Sequence, residues 1–188
     1  MLNPTMQEVH QIFSALTIPT HQWTEFTSLI ETRHFIKDTD IKKCNQEETF
    51  LNIVVKGSVG LFICTPLGDV CTNVFYEQEF FCDYLSLIKQ EKTVIKSVAL
   101  EDTGVWSIPF TSMRELYARD RGSLQIAKQI AEHLFVRKHE EQIDLLTLSP
   151  EERYLKLLQR RPDMLRRTSL KIIASTGKPE PVAQGDSV

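Results

Sequence analysis

Positively charged side chains are concentrated in one segment near the C-terminal end of the sequence. Between Glu151 and Lys171 there are seven Lys and Arg residues against three Asp and Glu residues, a local surplus of four positive charges. Such a segment can contact nucleic-acid phosphates, although a solvated helix face is the commoner origin of a charge run. The candidates for contacts with a DNA backbone are Arg153, Arg166, Arg167 and Lys171, with Lys156, Arg160 and Arg161 in the same segment.

The chain as a whole is not basic. It contains 22 Lys and Arg against 25 Asp and Glu, a formal net charge of -3, so attraction to nucleic acid depends on the C-terminal segment. Hydrophobic residues make up 41% of the 188 residues. That is enough for one substantial domain with a normal core and a smaller second domain.

The other reactive side chains do not form a catalytic or metal-binding pattern. The sequence has no nucleophile elbow and no glycine-rich phosphate loop. His133 and His139 are six residues apart, which places them on different faces of a helix. No pair of cysteines has the spacing of metal ligands. The sequence therefore predicts neither an enzyme nor a metal site. The remaining histidines and the cysteines are His10, His21, His34, Cys44, Cys64, Cys71 and Cys82.

The N-terminal residues MLNPTMQEVHQIF do not have the charged and then apolar order of a secretory leader. No apolar run approaches the ~18 residues that a membrane-spanning helix needs. The sequence thus predicts a cytoplasmic protein without membrane contact, whose thiols are reduced.

The elements that must position these residues fall into three regions. Residues 4 to about 33 have the apolar periodicity of two short helices. From His34 to Pro109 the pattern changes to short β-branched and aromatic runs, which favour a β-sandwich or barrel. Lys56-Gly57-Ser58 separates two of the runs and predicts a hairpin. Strands are predicted at Phe50–Val55, Val59–Ile63, Val70–Tyr76, Val94–Leu100 and Val105–Ile108.

A helical period returns after Pro109. A short helix is predicted from Thr111 or Ser112 to Tyr117, and a long helix follows from about Gly122 to Leu148. The long helix would extend for ~40 Å, too far to be buried along its whole length on a small β-domain. A symmetric dimer is the simplest partner for its apolar stripe. The residues predicted at the dimer interface are Ile126, Ile130 and Leu134.

Further helices are predicted near the C-terminal end. Ser149 and Pro150 have the residue types of an N-cap and a first helical position, and Pro162 ends that helix. A short helix is predicted at Ser169–Ser175, preceded by a possible cap at Thr168. The tail TGKPEPVAQGDSV that follows contains two prolines and two glycines, which prevent a regular helix.

The order of these elements resembles that of the Crp/Fnr transcription regulators. The resemblance covers about residues 10 to 175, and its most specific parts are FLNIVVKGSVGLFI (50–63), ALEDTGVWSIP (99–109) and LSPEERYLKLLQRRPDMLRRTSLKIIAS (148–175). The last is similar to winged-helix domains of relatives in Bacteroidetes. The resemblance implies an α+β fold: N-terminal helices, a jelly-roll barrel like that of cyclic-nucleotide-binding domains, a dimerisation helix, and a partial winged-helix or helix-turn-helix domain. The implied domains are 1–148, with the dimerisation helix at about 111–148, and 149–188.

The resemblance also implies a ligand pocket, whose residues differ from the family pattern. The family has a Gly-Glu pair and an Arg-Ser or Arg-Thr pair that hold a cyclic phosphate and ribose. Here Cys82 and Asp83 stand at the first pair, and Thr93 and Val94 at or near the second. Since Lys does not replace the bidentate Arg, we expect no tight binding of cyclic AMP and no cofactor. The degenerate pocket comprises Phe81, Cys82, Asp83, Tyr84, Leu85, Lys92, Thr93, Val94, Arg137 and Lys138.

The resemblance places Ser169–Ser175 at the first helix of a helix-turn-helix. Family members continue with a turn and a recognition helix that enters the major groove, where this chain has its Pro- and Gly-containing tail. We hypothesise a truncated or frame-disrupted C-terminus. DNA binding should then be weak and have little sequence preference, because phosphate contacts carry no sequence information.

Two functions remain open at this point. The first is a Crp/Fnr-type regulator that acts as a homodimer, senses a small ligand and has lost its recognition helix. The second is a ligand-binding or dimerisation module without DNA contact, in which the barrel is a scaffold or binds an unknown effector. A small anionic ligand would be attracted to the basic residues Lys92, Lys96, Arg137 or Lys138.

Overall fold

The computed structural model describes residues 27–160, 162, 164–169 and 172. Within these residues the chain forms a β-domain followed by helices. The strands are β1 (Glu31–Phe35), β2 (Asp40–Lys42), β3 (Phe50–Lys56), β4 (Val59–Thr65), β5 (Gly68–Phe75), β6 (Phe80–Phe81), β7 (Ile95–Ala99) and β8 (Thr103–Pro109). The helices are α1 (Tyr84–Lys89), α2 (Phe110–Arg119), α3 (Arg121–Thr147), α4 (Pro150–Arg160) and α5 (Met164–Arg167).

The strands form two four-stranded antiparallel sheets. The first sheet has the order β1-β8-β3-β6 and the second has the order β2-β7-β4-β5. Apart from β4 and β5, which pair with each other, strands that are neighbours in the chain belong to different sheets. This arrangement confirms the predicted jelly-roll-like β-domain, and it places the ends of distant segments side by side.

Alternating side chains of the strands contribute to separate cores. Ile53 faces the helices that cover the first sheet, whereas its neighbour Val54 lies between the two sheets. Leu61 and Phe62 alternate in the same way on β4, so that Phe62 lies on the outer face of the second sheet. Successive side chains of a strand point to opposite faces. Both sheets therefore bury apolar residues on both of their faces.

The turn at Lys56-Gly57-Ser58 connects β3 to β4, but β3 pairs with β6 and β8, and β4 pairs with β5 and β7. The hairpin predicted between these two strands is therefore wrong, because they belong to different sheets. Gly57 has a φ of +93°, and a Cβ at this position would lie 2.6 Å from Thr103 Oγ1 and 2.8 Å from the carbonyl oxygen of Asp102. A residue with a side chain would be strained here both by its backbone conformation and by contact with the neighbouring backbone. The turn consequently requires glycine.

The long helix α3 packs its predicted stripe against its own protomer. Ile126 and Ile130 are 0% and 2% exposed in the core that covers the first sheet, and the partly buried Leu134 packs against the same core. The prediction of a dimer interface is therefore wrong for Ile126 and Ile130, whereas for the partly buried Leu134 it stays a prediction. Their apolar periodicity reflects burial within the protomer.

The N-terminal prediction is only partly covered by the described residues. Residues 4–26 of the two predicted helices lie outside the described part of the chain. The second helix was expected to reach about residue 33, whereas residues 31–35 form β1 and pair with β8. Cross-strand pairing with β8 thus determines the conformation of this segment.

The helix α4 begins and ends close to the predicted residues. The Ser149 hydroxyl accepts a hydrogen bond from the Glu152 amide at 3.2 Å, and Glu152 Oε2 accepts one from the Ser149 amide at 2.8 Å. This is a reciprocal capping box. The helix ends at Arg160, before Pro162. Most of the helix predicted at Ser169–Ser175, together with the tail, lies outside the described residues.

Two of the four cysteines are not free thiols. Cys44 and Cys64 form a disulfide, with their Cα atoms 6.5 Å apart, while Cys71 and Cys82 are buried and are not disulfide-bonded. The expectation that all thiols are reduced is thus wrong for this pair, because the fold brings two cysteines that are distant in sequence to adjacent positions. In the part of the chain that is described, no helix is both long and apolar enough to cross a membrane.

Candidate functional site

A buried ion pair lies at the predicted ligand pocket. Asp83 is 1% exposed and accepts a hydrogen bond from the Lys42 ammonium, with an Nζ to Oδ2 distance of 2.9 Å. The ammonium also donates to Thr93 Oγ1 at 3.2 Å and to the carbonyl oxygen of Ile95 at 2.7 Å. An ammonium has three N–H donors. All three donors of Lys42 are therefore used within the protein.

Asp83 also determines the start of α1. Its Oδ1 accepts a hydrogen bond from the Ser86 amide at 3.2 Å, as an N-cap residue does, and its Oδ2 accepts one from the Thr93 hydroxyl. The carboxylate thus joins β2, the start of α1 and the segment before β7. We call Lys42, Glu48, Asp83 and Thr93 the cassette cluster.

Glu48 supports this cluster from a second buried position. Its Oε1 accepts hydrogen bonds from the amides of Thr49 and Phe50, and its Oε2 accepts one from the Asp83 amide at 3.3 Å. Burial raises the pKa of the Glu48 carboxyl, while the backbone amides and Lys42 act in the opposite direction. Glu48 therefore holds the backbone of Asp83 in place.

The other residues of the first predicted pair do not offer polar groups to a ligand. Phe81 is buried between the two sheets and Cys82 is buried beneath the helices. Burial raises the pKa of the Cys82 thiol, and the negative charges of Glu48 and Asp83 raise it further. Cys82 is thus a neutral core residue. Tyr84 and Leu85, which follow it, have exposed side chains.

The second predicted pair is divided between the cluster and the surface. Thr93 is half-buried and bonded to Asp83, whereas the Val94 side chain is 53% exposed. Lys92 is exposed next to them. Thr93 therefore belongs to the cassette cluster, as the sequence placed it in the pocket, but its hydroxyl is bonded to the carboxylate.

The two pocket residues on α3 have acidic partners elsewhere. Arg137 forms ion pairs with Glu79 at 3.1 Å and Glu141 at 3.2 Å, and its guanidinium lies 5.2 Å from the centre of the Phe75 ring. Lys138 pairs with Glu141 at 3.2 Å. The contacts of Arg137 join α3 to the end of β5 and the turn after it. No contact between these two residues and the cassette cluster is seen among the described residues.

Lys42 and Glu48 were not predicted as site residues. Lys42 follows Ile41 on a strand of three residues, and nothing in its local sequence separates it from a surface lysine. Glu48 lies in the loop after that strand. A charged residue in a short strand does not by itself indicate a functional site. Lys42 is recognised as a site residue only from its tertiary contact with Asp83.

The cassette cluster does not fit a cyclic phosphate in this arrangement. Binding a phosphate needs hydrogen-bond donors and positive charge, and the buried cation is neutralised by Asp83. A carboxylate next to a bound phosphate would also repel it. Among the described residues no group of three or more His, Cys, Asp or Glu side chains could hold a metal ion.

A second polar network joins the C-terminal helices to the β-domain. Arg167 donates from Nη2 to Glu77 Oε1 at 2.7 Å and to Glu101 Oε1 at 2.8 Å. It also donates to the Gly57 carbonyl oxygen at 3.1 Å and lies 5.1 Å from the centre of the Tyr76 ring. The hydroxyls of Tyr76 and Thr168 are hydrogen-bonded at 2.7 Å. We call these contacts of Arg167 and Thr168 the C-terminal latch.

The latch lies beside an apolar contact. The partly buried Leu157 and Ile172 pack against the outer face of the second sheet, on the core formed by Cys71, Val74, Tyr76 and Leu100. Burial raises the pKa of the Glu77 carboxyl, but hydrogen bonds from Arg167 and from backbone amides outweigh it, so the net pKa is below its usual value. The latch therefore stabilises the protein at neutral pH and weakens as the pH falls below the ordinary Glu range.

The four predicted DNA-backbone residues have different surroundings. Arg153 donates to the Leu148 carbonyl oxygen at 2.6 Å and so binds the C-terminal end of α3. Arg167 is held in the latch, Arg166 is exposed, and Lys171 lies outside the described residues. A contact of Arg167 with a phosphate would thus require the latch to open first.

The described fold is similar to that of three solved regulatory or nucleotide-binding proteins. A cyclic-nucleotide-binding domain from Methylobacillus flagellatus has a TM-score of 0.63 at 13% identity, with 72% of this chain and 79% of that chain covered. The catabolite activator protein of Thermus thermophilus has a TM-score of 0.55 at 22% identity, with 80% and 71% covered. A protein of Eubacterium rectale described as a Crp/Fnr-family transcriptional regulator has a TM-score of 0.63 at 18% identity, with 86% and 78% covered.

The chain has the fold of a cyclic-nucleotide-binding domain. This conclusion concerns the fold alone, because identities of 13% to 22% are too low to carry a function from one protein to another. The sequence matches no protein-family model and no curated protein. Function must consequently be argued from the cassette cluster, the latch and the surface.

Removing the Lys42 ammonium should destabilise the protein strongly. In the Lys42→Met variant Asp83 is left as a buried carboxylate without its counter-ion, which should lower the free energy of unfolding by about 3–5 kcal/mol in urea titrations. The matched control is Lys96→Met, whose partner Asp69 is 41% exposed and whose loss should change stability by about 1 kcal/mol or less. Equal effects of the two substitutions would contradict a structural role for the buried pair.

Proposed function

We propose that this chain is a regulator of the Crp/Fnr type whose β-domain does not use a cyclic phosphate as its effector. It acts as a homodimer and meets DNA only through backbone contacts of its C-terminal basic segment. Two observations together support the proposal. The order of β-domain, long helix and C-terminal helices is like that of a regulator, and the Lys42 ammonium fills the cassette cluster by pairing with Asp83.

The β-domain can still respond to a small molecule elsewhere. The surface near the cassette exposes Tyr84, Leu85, Ile88 and Val94, and Lys92 is exposed beside them. A ligand that combines an apolar part with a negative charge would suit such a surface. Its identity is open, and the dimer and the DNA contacts do not depend on it.

The dimer is proposed to use a different face of α3 from the one that the sequence suggested. Leu124, Phe135 and Leu146 are 51%, 72% and 77% exposed. They are spaced by eleven residues, about three helical turns, and thus share one face of the helix. Val136 and Ile143 extend this apolar surface. Large apolar side chains that share an exposed face are typical of an association surface.

The proposed DNA contact competes with the latch. Glu77 and Glu101 offer Arg167 charged hydrogen bonds within the protein, whereas a DNA phosphate offers similar bonds from outside. The guanidinium cannot make both sets of contacts at once. Opening of the latch would therefore add one phosphate contact to those available from Arg166 and its neighbours.

A module without DNA binding is the second candidate. It is favoured by the same latch and by the contact of Arg153 with the end of α3, because both contacts use basic side chains inside the protein. In that case the basic segment serves only to attach the C-terminal helices to the β-domain.

Cyclic AMP should have little effect on thermal stability. At about 0.1 mM nucleotide, the melting temperature should change by less than about 1 °C, because a ligand stabilises only as its concentration exceeds its dissociation constant. AMP at the same concentration serves as the control for general nucleotide binding. An increase of several degrees with micromolar cyclic AMP, absent with AMP, would show that the cassette cluster opens to a cyclic phosphate.

Introducing a charge on the exposed face of α3 should separate the dimer without unfolding it. We expect light scattering to give a dimer for the unmodified chain at micromolar concentration and a monomer for Phe135→Glu, since a charge in an apolar interface is unfavourable. The matched control is Ile36→Glu, because Ile36 is 74% exposed in the turn after β1. In contrast, Ile130→Glu should unfold the protomer. A monomeric unmodified chain would exclude the proposed dimer.

Opening the latch should strengthen DNA binding. The double variant Glu77→Gln/Glu101→Gln keeps acceptor oxygens but removes both charges that hold Arg167. We expect roughly tenfold tighter binding to a random duplex at low salt, the effect of one added charged contact, and no preference for a palindrome. The control Glu115→Gln/Glu140→Gln changes two exposed carboxylates and has the same net charge.

Fluorescence anisotropy with labelled duplexes measures DNA binding by the unmodified chain, by the latch variant Glu77→Gln/Glu101→Gln and by the control Glu115→Gln/Glu140→Gln. Tighter binding by the latch variant than by the charge-matched control supports competition between Glu77, Glu101 and DNA for Arg167. Equal binding by the two variants contradicts that competition. No binding by any of the three proteins would favour the module without DNA contact.

A further inference from the structure

The disulfide between Cys44 and Cys64 lies beside residues 93 and 94, which lead into β7 and include Thr93 of the cassette cluster. Cys44 follows β2 and Cys64 lies on β4, while β7 is located between β2 and β4 in the sheet. The Cα separation of 6.5 Å is within the range of disulfides. Both cysteines are half-buried, so small oxidants and reductants can reach them.

The residues beneath the bond are attached to both cysteine segments. The Cys64 amide donates to the Val94 carbonyl oxygen at 2.8 Å, and the amide of Asn45, next to Cys44, donates to the Thr93 carbonyl oxygen at 2.8 Å. Thr93 in turn donates from its hydroxyl to Asp83. The disulfide therefore links the two segments whose backbone amides bind residues 93 and 94 and so keep Thr93 next to Asp83.

We propose that Cys44 and Cys64 form a reversible redox pair that controls the mobility of Thr93 and Val94. In the oxidised protein, the bond holds the segments after β2 and on β4 at a short distance across β7. In the reduced protein, only the backbone hydrogen bonds and the Lys42 contacts hold Thr93 next to Asp83. Oxidation thus stabilises the contacts within the cassette cluster, and reduction makes it easier for Thr93 to move away from Asp83.

The chemistry requires an oxidant such as hydrogen peroxide. One thiolate attacks a peroxide oxygen and becomes a sulfenic acid as hydroxide leaves, and the second thiolate then attacks that sulfur and displaces another hydroxide. The two sulfurs lose two electrons and form the S–S bond, while the peroxide and the two thiol protons become two water molecules. A dithiol reverses the bond by thiol–disulfide exchange and becomes a disulfide itself.

The other two cysteines provide an internal control. Cys71 and Cys82 are 1% and 8% exposed, and burial raises the pKa of the Cys82 thiol. Both features slow reaction with an oxidant, because the thiolate is the reactive form. A selective reaction should therefore involve Cys44 and Cys64 and leave these two as thiols.

The first test is peptide mapping by mass spectrometry after treatment with dithiothreitol or with hydrogen peroxide, followed by alkylation in denaturant. We expect a linked Cys44–Cys64 peptide, lighter by two hydrogen atoms than its two thiol peptides together, only in the oxidised sample. Cys71 and Cys82 should be alkylated in both samples. A pair that stays reduced under peroxide, or that links different chains instead, would overturn the proposal.

The second test is hydrogen–deuterium exchange of the two redox forms. The amides of Asn45 and Cys64 should exchange at least about tenfold faster in the reduced protein. This difference should disappear in Cys44→Ser/Cys64→Ser and persist in Cys71→Ala. Formation of the disulfide without a difference in exchange would overturn the coupling to the cassette. Neither test depends on DNA binding or on the proposed function.

Discussion

A buried ammonium group must be surrounded by acceptors, and Lys42 imposes this constraint on the whole β-domain. Its three hydrogen bonds reach Asp83, Thr93 and the Ile95 backbone, which lie 41, 51 and 53 residues after Lys42 in the sequence. Moving Asp83 away would leave a buried charge without its counter-ion, at a cost of about 3–5 kcal/mol. Moving Thr93 or Ile95 away would leave one N–H donor of the ammonium without an acceptor. The position of β2, the start of α1 and the entry to β7 are therefore set together, with Glu48 holding the Asp83 backbone from the other side.

The C-terminal helices satisfy a second requirement, which is to cover the outer face of the second sheet. Without Leu157 and its neighbours, Val74 and Tyr76 would be apolar or aromatic residues on an open sheet surface. The apolar contact does not by itself fix the orientation of the C-terminal helices. The C-terminal latch fixes it, because a planar guanidinium bonds to two carboxylates only in one orientation. The requirement for Gly57 belongs to the same arrangement: Glu77 accepts from its amide and Arg167 donates to its carbonyl.

Local patterns in the sequence predicted the long strands, a chain reversal at Gly57 and the start of α4 at Ser149, because each depends on neighbouring residues. The hairpin expected at Gly57 was wrong, because β3 and β4 pair with distant strands in different sheets. Strands β1, β2 and β6 were not predicted, since they are two to five residues long and form by pairing with distant strands. The stripe at Ile126 and Ile130 was predicted as apolar but given the wrong partner, because periodicity shows that a face is buried and not what buries it. The predicted pocket residues Asp83 and Thr93 do meet, while the residue that neutralises them, Lys42, depends on tertiary contacts alone.

The closed cassette limits how tightly any anionic ligand could bind there. A ligand that replaces Asp83 as the partner of Lys42 must first separate a buried pair, and a ligand can shift such an equilibrium only by its difference in affinity for the two states. If the separation costs about 3–5 kcal/mol, the apparent dissociation constant rises by roughly a hundredfold to several thousandfold. A site with micromolar intrinsic affinity would then bind only at concentrations near millimolar or above. An effector of this β-domain therefore has to bind outside the cassette cluster, or under conditions that first weaken the contacts of Thr93 with Asp83 and Lys42.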